Sequence, residues 1–138
     1  MLQHDYYLRL IQEFMAALAK VLEKNEFTTR KEELRKLYGQ YVGPYALYAT
    51  ATIDEVMRAL EGETQERRIM KLEMLSELYY HEGSMETGPT REIMLSKAFA
   101  LLDYLEANSG TYSIERRVRM GILQRELGKR QQNIIDAK

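Results

Sequence analysis

The sequence predicts one all-α domain, an irregular bundle of five or six helices. Three observations predict it. Apolar residues recur at steps of three and four through most of the chain, the period of a helix face. Leu, Glu, Lys, Arg, Met and Ala dominate, all of them strong helix formers. Only two prolines interrupt 138 residues, and β-branched runs are few. The domain is assigned to residues 1–128, and residues 129–138 to a polar C-terminal tail.

The first helix is expected from a cap at Asp5 to about Asn25. Tyr7, Ile11, Phe14, Leu18 and Val21 step by 4, 3, 4 and 3 along it, a seam regular enough for knobs-into-holes packing. Leu10, Met15 and Leu22 widen the apolar arc beyond what one neighbour need cover. That width points to a homodimer through the first helix, since a two-fold interface buries such a patch on both copies. Thr29 and Glu32 have capping-box spacing and open a second helix carrying Leu34, Leu37, Tyr38 and Tyr41, which ends at Gly43-Pro44. Residues 44–50 can hold a turn or two of helix. Thr52 and Glu55 repeat the box ahead of Ile53, Val56, Met57 and Leu60, and Gly62 closes that helix.

The centre of the chain is the stretch from Ile69 to Leu105. Leu72, Leu75 and Tyr79 share one helix face, while Ile69, Met74 and Leu78 cover much of the rest. A helix apolar over most of its girth has neighbours on several sides. Gly83 stands where a left-handed C-terminal cap wants glycine. Residues 84–89 then read as a polar loop, with Thr90 capping a helix through Ile93, Met94, Ala98, Leu101, Leu102 and Leu105 that stops near Asn108 to Gly110. Two helices so joined pack antiparallel, and Leu72, Leu75, Tyr79, Ala98 and Leu102 are expected to share their core. Ser113 caps the last helix. Val118, Met120, Ile122 and Leu123 form its apolar side, and Gly128 ends or interrupts it.

Leu72, Leu75, Ser76, Tyr79 and Gly83 match in size and order the first helix of a tetratricopeptide repeat, and Ala98, Leu102 and Leu105 keep the spacing of its second. The hairpin therefore resembles one unit of that family, over less than a third of the chain. It departs in the larger Leu105, in Gly110 where proline is usual, and in a loop roughly ten residues too long for a repeat of about 34. The resemblance implies stacked antiparallel hairpins and a protein-binding surface. Asp5 to Ile11 with Leu18-Ala19, and later Leu105 through Ser113 and Glu115-Arg116, are similar to a family of small uncharacterised bacterial all-helical proteins. That likeness implies a fold and a source but no activity.

Composition narrows the function. A net charge of −1 gives no global pull toward nucleic acid or anionic lipid. With no cysteine, disulfides, thiol catalysis and cysteine metal sites are excluded, and a reducing cytoplasm is the expected compartment. No apolar run approaches the ~20 residues of a membrane span, and Asp5, Arg9 and Glu13 break up any signal-like N-terminal segment.

His4 and His81 are the only histidines. No phosphate-cradling glycine loop or nucleophile elbow occurs. No metal or cofactor is expected, and the protein is not expected to be an enzyme. The leading expectation is a scaffold or protein-interaction module that binds another protein or itself. The alternative is a small-ligand binder or enzyme with a polar pocket near Tyr80, His81 and Arg91. From Ser113 onward seven basic residues face three acidic ones, so Arg116, Arg117 and Arg119 complete the candidate binding surface. No aromatic side chains interleave with these arginines for base stacking, and nucleic acid is not expected as a partner.

Overall fold

A computed structural model of the chain describes the backbone of residues 2–136 and the side chains of residues 5–129. Seven helices follow one another: α1 (Leu2–Leu22), α2 (Phe27–Tyr41), α3 (Tyr45–Thr50), α4 (Ile53–Ala59), α5 (Gln65–Ser84), α6 (Gly88–Asn108) and α7 (Ile114–Asp136). No strand occurs among the described residues. The count exceeds expectation because residues 45–50 form a complete short helix, α3, with Pro44 as its N-cap, whose carbonyl accepts the first helical bond from the Tyr48 N–H at 3.2 Å.

Some predicted signals act as expected. Thr52 and Glu55 form a full capping box, each side chain bonded to the other's backbone N–H. Ser113 Oγ accepts from the Arg116 N–H at 3.1 Å and starts α7. Thr64, which the sequence had not singled out, does the same for Arg67 at the head of α5.

Others do not. α1 begins at Leu2, so Asp5 lies inside its first turn, where it complements the helix dipole. α2 begins at Phe27 behind Glu26, which places Thr29 in the first turn with no capping role. α6 begins at Gly88 behind Thr87, so Thr90 is already helical. Gly128 neither ends nor interrupts α7, which is continuous to Asp136. The side chains of the expected tail beyond Lys129 lie outside the described residues.

The largest correction concerns Gly83. It is not a left-handed cap, because only Gly88 (φ 61°) and Gly110 (φ 72°) have positive φ among the described residues. Instead α5 runs through Gly83 to Ser84. A Cβ there would lie 2.9 Å from Met94 Cβ and 3.0 Å from Leu95 Cδ2. The glycine lets α5 and α6 touch. The connection shrinks to residues 85–87, shorter than the loop expected from sequence.

α5 is the central element and packs against α1, α2 and α6; α6 also carries α7 and touches α4. Leu72, Leu75, Tyr79 and Ala98 are completely buried and Leu102 nearly so, so the expected hairpin core forms. Burying each large side chain of this kind contributes about 1.5–3 kcal/mol. On α1, Tyr7, Phe14, Leu18 and Val21 are buried, Ile11, Leu10 and Leu22 half-buried, and Met15 exposed. On α7 the inward residue is Leu123, with Met120 and Ile122 half-buried. Val118 faces outward with Tyr112 and Ile114, contrary to its expected place on the packed side.

Candidate functional site

Two glutamates of α5, Glu82 and Glu73, mark two very different surroundings. Glu82 is 1% exposed. Its carboxylate accepts from Tyr38 Oη at 2.7 Å, Tyr45 Oη at 2.5 Å and Arg35 Nε at 3.4 Å. Nearby, Lys97 of α6 is buried and donates to the carbonyls of Tyr48 (3.4 Å), Ala49 (3.3 Å) and Ala51 (2.9 Å). Its ammonium sits 4.4 Å from the centroid of the Tyr79 ring, whose hydroxyl donates to the Tyr48 carbonyl at 2.6 Å.

Burial pushes the Lys97 ammonium down, and Glu82 pulls it partly back. Burial and then Glu82 push the Tyr38 phenol far up, so it stays a donor. This cluster ties α2, α3, α5 and α6 together. A cleft of about 440 Å³ opens beside it, but the charged groups of Glu82 and Lys97 already have partners. Neither residue was singled out in the sequence. The signal was there: Glu82 lies three and four residues beyond Tyr79 and Leu78, and Lys97 three beyond Met94, all apolar core positions.

The predicted trio of Tyr80, His81 and Arg91 does not form one pocket. Tyr80 lies under the Arg119 guanidinium, 3.8 Å from ring centroid to carbon. Arg119 bonds both oxygens of Glu77 at 3.1 and 3.2 Å, and His81 Nε2 lies 3.4 Å from Glu77. Burial works against the Glu77 charge, but His81 and Arg119 outweigh it and hold the carboxyl below its ordinary value. These groups latch α7 to α5. Arg91, brought close by the short α5–α6 connection, caps the end of α5 through the carbonyls of Gly83 (3.5 Å) and Ser84 (3.2 Å) and pairs with Glu126 at 3.4 Å. Tyr80, His81 and Arg91 line none of four surface clefts of about 350–440 Å³.

Nor do the arginines form an open basic stripe. Arg116 is 7% exposed. It donates to Glu106 at 2.9 Å and to the Thr111 carbonyl at 2.6 Å. Arg117 holds the other Glu106 oxygen at 2.7 Å and stacks on Tyr112. Hydrogen bonds from Arg116, then Arg117, keep the Glu106 carboxyl below its ordinary value. Arg116, Arg117 and Arg119 are therefore each matched by a glutamate that lies earlier in the chain.

The surroundings of Glu73 are open. Two clefts of about 400 and 350 Å³ run along α5, between α1 on one side and the α6–α7 connection with the start of α7 on the other. They share Ile11, Glu73 and Thr111 and so form one groove. Its apolar contacts come from Tyr7, Leu8, Ile11 and Met15 of α1 and from Ile69, Met70 and Met74 of α5.

Glu73 is half-buried midway along this groove. Burial raises its carboxyl above the ordinary value, and Arg116 offsets this only in part. Its side chain makes no hydrogen bond or ion pair with a described residue. Glu73 was not singled out in the sequence either; four and three residues beyond Ile69 and Met70, it falls on an apolar face. A fourth cleft, between α4 and α6, is shallow and lined by residues that include Thr52, Ile53, Pro89 and Ile93.

Compared with protein-family models, curated proteins and solved structures, the chain has no significant match.

Proposed function

We propose that the protein is a non-catalytic helical interaction module that holds a segment of another protein in the groove between α1 and α7. The observation that carries this reading is the continuity of two clefts along α5, whose lining mixes apolar side chains of α1 and α5 with polar ones. The tetratricopeptide-like order of the α5–α6 hairpin supports it. The internal pairing of Arg116, Arg117 and Arg119 supports a protein rather than nucleic acid as partner. No helix among the described residues is long and apolar enough to cross a membrane, and the lack of cysteine favours the cytoplasm.

A photo-crosslinking side chain at Met15, on the groove, should give a discrete adduct with another protein in cells. The same side chain at Ile93, on the α4–α6 face, should not. Ile11→Glu should abolish the Met15 adduct without loss of helicity. Equal adducts at both positions would refute the reading.

Self-association through α1 is a second reading, favoured by the exposure of Tyr6, Leu8 and Met15 at 55%, 46% and 43%. Leu8 and Met15 lie two helical turns apart on one face. Light scattering decides it: a mass near 16.2 kDa ends the idea. A doubled mass that falls on Met15→Glu establishes it.

A further inference from the structure

This inference rests on the groove reading and concerns what the occupant must carry. α5 presents Glu77 and Glu82 with partners and Glu73 without one. Half-buried, the Glu73 carboxylate loses hydration and, unlike Glu77 and Glu82, recovers no hydrogen bond or ion pair from a described residue; only the field of Arg116 offsets part of the loss. The nearest cation cannot supply the missing pair, because the Arg116 side chain is buried and bonded to Glu106 and the Thr111 carbonyl. Apolar contact beside Glu73 comes from Ile11, Met15, Met70 and Met74, set among polar groups such as Ser76, Glu77, Asn108 and Arg119. Methionine is unbranched and polarizable, so such a wall adapts to varied apolar side chains. Shape and charge thus ask for different things at different points: apolar contact along the groove and a cation at its centre.

We infer that the groove selects a partner segment in which one lysine or arginine is flanked by apolar side chains, with the cation donating to the Glu73 carboxylate. A charge-assisted hydrogen bond of this kind is among the stronger polar contacts. It would fix the register of a segment that the apolar walls alone would let slide.

The full-length chain, immobilised, is panned against a random peptide-display library, and enriched peptides are synthesised and titrated in solution. Apolar peptides with one lysine or arginine should be enriched. Their affinity should fall about tenfold for the near-isosteric Glu73→Gln, and selection on Glu73→Lys should turn to peptides with aspartate or glutamate. Circular dichroism confirms that each variant is folded. Peptides that bind Glu73→Gln as tightly as the native chain, yet fail on Ile11→Glu, would overturn the cation assignment and leave the groove standing. Peptides indifferent to Ile11→Glu, or no enrichment, would overturn both. A dimer dissociated by Ile11→Glu, with no peptide selected, would assign the groove to a second copy and overturn the proposal.

Discussion

Glu73 and Glu82 are the same residue on the same helix, nine positions apart, which is about two and a half turns and so opposite faces. One is sealed and holds two tyrosine hydroxyls and an arginine. The other stands half-buried in an open groove with nothing to hold. Burial alone does not separate a structural carboxylate from a recognition carboxylate. The presence or absence of partners supplied by the fold does.

Glu82→Ala should have the largest effect. It strands the hydroxyls of Tyr38 and Tyr45 and the Arg35 charge, and removing one partner of a buried network costs about 3–5 kcal/mol. Urea unfolding should show that loss, whereas Glu73→Ala should change stability by no more than about 0.5 kcal/mol. Equal losses would erase the distinction between the two sites. Leu75→Ala, in the core behind both, should cost about 2–5 kcal/mol; an unchanged unfolding midpoint would remove the central-hairpin account.

Gly83→Ala sharpens the same contrast from the backbone side. Its Cβ would press Met94 and Leu95, so α5 and α6 must separate near Glu82, at a cost of about 1–3 kcal/mol. A thermal melt that leaves the midpoint in place would show that this contact is not limiting.

The smallest effect has a sign. Folding raises the Glu73 carboxyl above its ordinary value. Its contribution to stability is therefore fully present below the ordinary glutamate value of about 4.3 and is lost as pH rises through the raised one. Glu73→Gln lacks this loss. It should be slightly more stable than the native chain at neutral pH, by less than about 1 kcal/mol, with the gain vanishing in acid. Denaturant titrations across that range check it; destabilisation at neutral pH would mean that Glu73 has an internal partner.

The all-helical fold was legible because the 3.6-residue period is strong along α1 and strong helix formers dominate the rest of the chain. So were local caps such as Thr52 and Ser113, whose partners lie three residues away. Gly83 was misassigned because glycine serves both a left-handed cap and a close helix contact, and only the partner helix decides between them. Thr29, Thr90 and Gly128 carry terminus signals that packing overrode. The network of Glu82 and Lys97 joins residues 37 to 49 positions from their partners, beyond the reach of spacing arguments. The trio of Tyr80, His81 and Arg91 was assembled from proximity in sequence, but α5 turns Tyr80 and His81 toward Arg119 and Glu77 while Arg91 is taken up by the end of α5. Val118 matched the helical period of its neighbours and still faces outward, because α7 meets its support on one side only.

Amide hydrogen exchange of the full chain, alone and with a peptide recovered by selection, asks directly which face of α5 binds. New protection should fall on residues 7–15 of α1, residues 69–77 of α5 and the connection at 109–113. Protection centred on α3, Glu82 and Lys97 would contradict the account.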